Sequence, residues 1–150
     1  MKPLSIFALV LRAALGAVFI VSGFQKLISP SVNFAAVIES YQIVQGPLAQ
    51  LFAQFMPWVE FLAGLFFLLG LWTRVSLALL WSMNTLFIGV LSSALVRKLD
   101  IGQCGCFGKA VTFTPQQMLG LDIVFWFLFF SFFLLQKRSS PPSADRLLNG

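Results

Sequence analysis

The stretch "GQCGCFGKA" at residues 102–110 holds the two cysteines of the chain, Cys104 and Cys106, with a single glycine between them. Glycine permits the tight backbone turn that would bring both sulfurs together. The ring so closed is small and removes little freedom from the unfolded chain, so the pair is a poor structural staple. A short, accessible disulfide is the kind that exchanges readily. Arg97, Lys98 and Lys109 lie close in sequence, and neighbouring cations favour the reactive thiolate. Three uses stand open: thiol–disulfide exchange, binding of a soft metal such as copper(I) or mercury(II) by Cys104 and Cys106, and a structural bridge or two uninvolved thiols.

The chain has no histidine. That excludes imidazole metal sites, histidine-ligated haem and any nucleophile–histidine dyad. Two cysteines also cannot make a four-thiolate zinc site within one chain. The remaining chemistry rests on ionisable residues inside long apolar runs, which are costly there and by default point to function. Glu60 and Asp122 are the two such carboxyls. Counting from the ends of their runs, they lie roughly 12 Å and roughly 9 Å below the same face. Both should point into a bundle, paired with a cation or protonated. Lys26 is the nearest cation by depth, so Lys26–Glu60 and Lys26–Asp122 are the candidate pairs. A structural clamp between helices and a proton-handling or ligand-binding site are both open at this stage. Arg12 and Arg74 read as anchors reaching the headgroups. Asn84 reads as an interhelical hydrogen-bonding residue, and Gly16, Gly23, Gly64 and Gly70 as close-packing positions.

What must position these groups is a membrane bundle. Of the 150 residues, 59% are hydrophobic and only 10% charged, far below a soluble domain. Four runs can each cross the bilayer: about 4–28, 52–71, 75–96 and 116–136. The net charge of +5 is no argument for nucleic acid, because the basic residues flank the apolar runs. The first run exceeds a signal-peptide core and reads as a retained helix. Between the first two runs, Phe34, Val37, Ile38 and Tyr41 recur at helical spacing, predicting a short amphipathic helix in the interface. Pro30 and "GP" at 46–47 bound it. "WTR" joins the second and third spans so tightly that those helices must be antiparallel neighbours. The aromatic run "FWFLFFSFF" reads as lipid-facing and packing surface, with a quinone or pigment lying against it as the alternative. The expected fold is all-α: a polytopic four-helix membrane bundle over residues 1–136, followed by a disordered cytoplasmic tail over 137–150.

Four spans place both termini on one side. Six lysines and arginines fall on that side and four on the other, which favours cytoplasmic termini. The cysteine loop, roughly 97–115, then faces a bacterial periplasm, where disulfides persist. The expected location is the inner membrane.

"GFQKLISP", "PWVEFLAGLFFLLGLWTR", "CGCFG" and Asp122 occur in this order over roughly residues 10–135. In this the chain resembles the MauE branch of the DoxX-like four-helix membrane proteins, associated with methylamine utilisation and redox maturation. The resemblance implies functional roles for Lys26, Glu60, Cys104, Cys106 and Asp122. It implies a periplasmic thioredoxin-like partner and a role in forming or exchanging disulfides of a client; in MauE that client is thought to be the methylamine dehydrogenase small subunit. The lead expectation is therefore a component of thiol–disulfide oxidoreduction, with a quinone as the conceivable small ligand of the polar site. The alternatives are a soft-metal carrier and a non-catalytic accessory subunit of a quinone-linked membrane complex.

Overall fold

The structure is a computed structural model, and it describes residues 3–99 and 114–138. Cys104, Cys106, Lys109 and the tail from 139 onward lie outside the described residues, and so do the expectations placed on them. All the described elements are helices: α1 (Pro3–Ile28), α2 (Ser31–Ser40), α3 (Pro47–Leu69), α4 (Thr73–Val96) and α5 (Pro115–Arg138). Four of them, α1, α3, α4 and α5, are long and apolar enough to cross a membrane, and α2 is the short helix between the first two. The chain is a multi-pass membrane protein of the all-α class.

Helix boundaries follow from backbone chemistry. Pro30 precedes α2, and Pro47 occupies the first turn of α3, where its missing N–H costs nothing. Gly46, just before it, has φ of 64°, a conformation that favours glycine. The second span therefore starts five residues earlier than the apolar run suggests. Gln50 and Gln54 interrupt the run, but both are exposed and leave the helix intact.

The α3–α4 turn adds to one reading. Gly70 is a left-handed helix cap with φ of 73°, a role its reading as a packing glycine did not include. Its N–H donates to Phe67 O at 3.2 Å, and Leu71 N–H donates to Phe66 O at 2.9 Å, satisfying carbonyls that the helix end leaves open. Thr73 Oγ1 donates back to Gly70 O at 3.0 Å. The other three glycines are close-packed. A Cβ on Gly23 would sit 2.8 Å from Phe61 N, one on Gly16 3.0 Å from Leu68 Cβ, and one on Gly64 3.1 Å from Ile20 N. They line the α1–α3 seam, where small residues let two backbones approach.

Packing pairs α1 with α3 and α4 with α5, and further contacts of α3 with α4 and α1 with α5 close the bundle. One end of the core holds Leu15, Phe19, Ala63, Phe67, Leu80, Phe129 and Phe132. Phe67 and Phe132 meet edge to face with centroids 5.1 Å apart, and Phe19 and Phe129 lie 5.6 Å apart. Such pairs contribute about 0.5–1.5 kcal/mol each beyond area burial. The aromatic run of α5 thus divides: Phe129 and Phe132 are fully buried, while Phe127, Phe130 and Phe133 face outward.

The short helix α2 does more than rest on a surface. Phe34 and Ala35 are buried against Ala53 of α3, with Ile38 and Met56 packed beside them. Just past its end, Tyr41 is buried with Leu91 and Ala94 of α4 and Met118 of α5. Its apolar face is taken by the protein, and α2 crosses one end of the bundle from α3 to α4 and α5.

Candidate functional site

The polar cluster lies at the end that α2 covers. α1 contributes Ser22 and Lys26, one helical turn apart and so on one face. Lys26 is 4% exposed and Glu60 2%. Lys26 Nζ lies 2.6 Å from Glu60 Oε2, joining α1 to α3, and donates to Ser22 Oγ at 3.2 Å. Of the two pairings the sequence left open, this is the one made directly. A carboxylate at contact distance holds the Lys26 ammonium inside the bundle.

Aromatic rings also border the ammonium. Its nitrogen lies 5.5 Å from the ring centroid of Phe34 on α2 and 5.4 Å from that of Phe87 on α4. A cation over a ring face gains about 2 kcal/mol when desolvated. Phe34 is thereby both the packing anchor of α2 and part of the roof over the ion pair.

The second half of the cluster joins α4 to α5. Asn84 Nδ2 donates to Asp122 Oδ1 at 3.3 Å. Asn84 is 1% exposed and Asp122 7%. Both halves line one cavity of about 30 Å³, with Val18, Phe19, Phe87, Met118 and Phe125 supplying apolar walls. Two acceptors of this lining, Asn84 Oδ1 and Asp122 Oδ2, have no hydrogen-bond partner among the described residues.

Glu60 and Asp122 line the same cavity, although they stand at different distances from the starts of their helices. Glu60 lies roughly 20 Å along α3 from Pro47, whereas Asp122 lies roughly 10 Å along α5 from Pro115. They meet because α3 runs on past Glu60, the partner of Lys26 near the end of α1, and α2 packs against that extension. Arg12 is also corrected. It is 8% exposed, so it is buried in the bundle rather than extended to the headgroups. Arg74 is exposed, as an anchor should be.

Next to the cluster runs a wider apolar groove of about 250 Å³, lined by Val37, Ile38, Phe52, Met56, Leu86 and Val90 among others. Phe87 borders both spaces, and Phe34 lines the groove while its ring faces the Lys26 ammonium. At its far edge the exposed stem of the cysteine segment touches the turn that follows α2: Arg97 Nη1 donates to Tyr41 O at 3.4 Å, and Nη2 to Gln42 Oε1 at 3.5 Å.

A family model described as "Methylamine utilisation protein MauE" matches residues 4–136. The chain belongs to the MauE family. No curated protein and no solved structure matches it. The MauE match takes in all four membrane-spanning helices, the polar cluster and the cysteine segment. Ser22, Phe34 and Phe87 are the cluster residues that sequence reasoning missed. Ser22 and Phe87 had only helical spacing to betray them, one turn from Lys26 and from Asn84 respectively. Phe34 was read on the apolar face of α2, and nothing in the sequence tells what that face covers.

Proposed function

We propose that this MauE-family protein is a thiol–disulfide exchange protein of the bacterial inner membrane, with cytoplasmic termini and its cysteine loop in the periplasm. The observation that carries the reading is the sequence position of the cysteine pair. Its segment connects the two helices that supply Asn84 and Asp122, and its stem residue Arg97 is hydrogen-bonded to Tyr41, the residue that follows the helix roofing Lys26 and Glu60.

The partner is a periplasmic thioredoxin-like protein that in turn matures a client. In the exchange, a thiolate of one protein attacks the disulfide of the other. One S–S bond breaks, a mixed disulfide forms and a thiolate leaves. The second cysteine of the attacking pair then resolves the mixed disulfide, releasing the partner as a dithiol. Two electrons pass from the attacking pair to the attacked one, and two protons follow them. Lys26, Glu60 and Asp122 are the residues for those protons. The cavity favours proton handling over a ring-sized ligand such as a quinone, because about 30 Å³ is far below the ~300–1,000 Å³ of small-molecule pockets.

The test is a redox titration of Cys104 and Cys106 against glutathione. An exchanging pair titrates at a potential above the roughly −300 mV typical of structural disulfides. A potential well below that, with full client maturation by the Cys104→Ser/Cys106→Ser protein, sinks the reading. Stoichiometric copper retained only by the wild type would instead favour a soft-metal carrier.

A further inference from the structure

We infer that the cavity between the Lys26–Glu60 pair and the Asn84–Asp122 pair is a binding site for one water molecule that joins the two pairs into a single network. The inference stands on the cluster's geometry alone and does not depend on what the cysteines do.

Three observations point to water. The first is size: about 30 Å³ admits one such molecule and nothing much larger. The second is the pair of orphans. Asn84 Oδ1 and Asp122 Oδ2 belong to side chains more than nine-tenths buried, and neither atom has a partner among the described residues. Buried polar atoms without partners are rare, because each forfeits its solvation. Water is the smallest molecule that donates twice, and so can serve both. The third is the ammonium. A lysine carries three N–H donors, and Lys26 uses two of them on Glu60 and Ser22. The third lacks a hydrogen-bond partner among the described residues, and Lys26 lines the same cavity. A water there would accept from Lys26 and donate to Asn84 and Asp122, which gives the usual count of about three hydrogen bonds for a buried water.

The arrangement also tolerates a change of protonation. As a carboxylate, Asp122 accepts from the water; as an acid, it donates to it. Either way the chain Glu60–Lys26–water–Asp122 stays connected across α1, α3, α4 and α5. The water site is therefore what turns two separate pairs into one path along which a proton can move.

X-ray radiolytic footprinting of the full chain in lipid nanodiscs tests this, because a bound water oxidises the side chains that touch it. Met118 lines the cavity and is 2% exposed; Met83, outside the lining, is 9% exposed. Met118 should oxidise several-fold faster than Met83 despite its deeper burial. Asn84→Leu, which fills the space and removes one orphan acceptor, should bring Met118 down to the Met83 rate, whereas Asn84→Ser should not. A Met118 rate at or below that of Met83 overturns the site. So does a fast Met118 rate unchanged by Asn84→Leu, which would mean entry of bulk water. Should the leucine variant fail to insert, solid-state NMR of the wild type with methyl-labelled methionine decides. Below the freezing point of the bulk, transfer from water to the Met118 methyl should persist, and its loss would refute the proposal.

Discussion

Lys26 and Glu60 set the energetics at the residue scale. Both are almost fully buried, and removing one leaves the other charge without a partner. Glu60→Ala should destabilise the bundle by about 3–5 kcal/mol, measured by unfolding in mild detergent. A Lys26→Met/Glu60→Met double variant should recover most of that loss, because it removes the stranded charge as well. A double variant as unstable as the single one would show that the loss is not about charge. Asp122→Asn is the complementary change. It preserves shape and loses proton exchange, so insertion should be normal while disulfide exchange slows on the order of 100-fold, the scale of general acid–base assistance. Full exchange by this variant would reduce Asp122 to a structural clamp. These charged residues were legible in the sequence because an ionisable group in an apolar run is costly and needs a reason. Their apolar neighbours were not. A phenylalanine in a helix looks the same whether it faces lipid or an ammonium.

At the scale of elements, the seam between α1 and α3 depends on three glycines, and Gly23 is the tightest. A Cβ there would meet the backbone of Phe61 at 2.8–3.0 Å, and backbone does not yield as a side-chain tip does. Gly23→Ala should therefore push the helices apart and cost about 1–3 kcal/mol, as overpacking does. Gly120→Ala, where a Cβ meets open space, should be neutral or stabilise slightly through helix propensity. Equal melting temperatures for the two variants would contradict the packing account. The glycines at helical spacing along α1 and α3 were legible as packing positions. The capping role of Gly70 was not legible, because only its left-handed backbone reveals it. The start of α3 was hidden for a related reason. Gln50 and Gln54 break the apolar run without breaking the helix, and the projecting turns they belong to are the ones α2 packs against.

For the whole molecule, the bundle was readable from run length alone, since hydrocarbon thickness fixes how many apolar residues a span needs. How α2 crosses the end of that bundle was not readable, because a short amphipathic pattern names a face and not its partner. The proposed orientation rests on the charge balance: six basic residues on the side of the termini and four on the other. A membrane-impermeant thiol reagent should accordingly label reduced Cys104 or Cys106 in intact spheroplasts. Labelling only after lysis would invert the chain and place the cysteines in a reducing compartment. The central claim is that these cysteines exchange disulfides with a thioredoxin-like partner, and trapping tests it most directly. With Cys104→Ser or Cys106→Ser, the cysteine that remains cannot be resolved by its neighbour. One of these variants should accumulate a covalent adduct that a reductant releases and that mass spectrometry identifies as a thioredoxin-fold protein. Absence of such an adduct from both variants, with client disulfides formed normally in the double variant, would contradict the account.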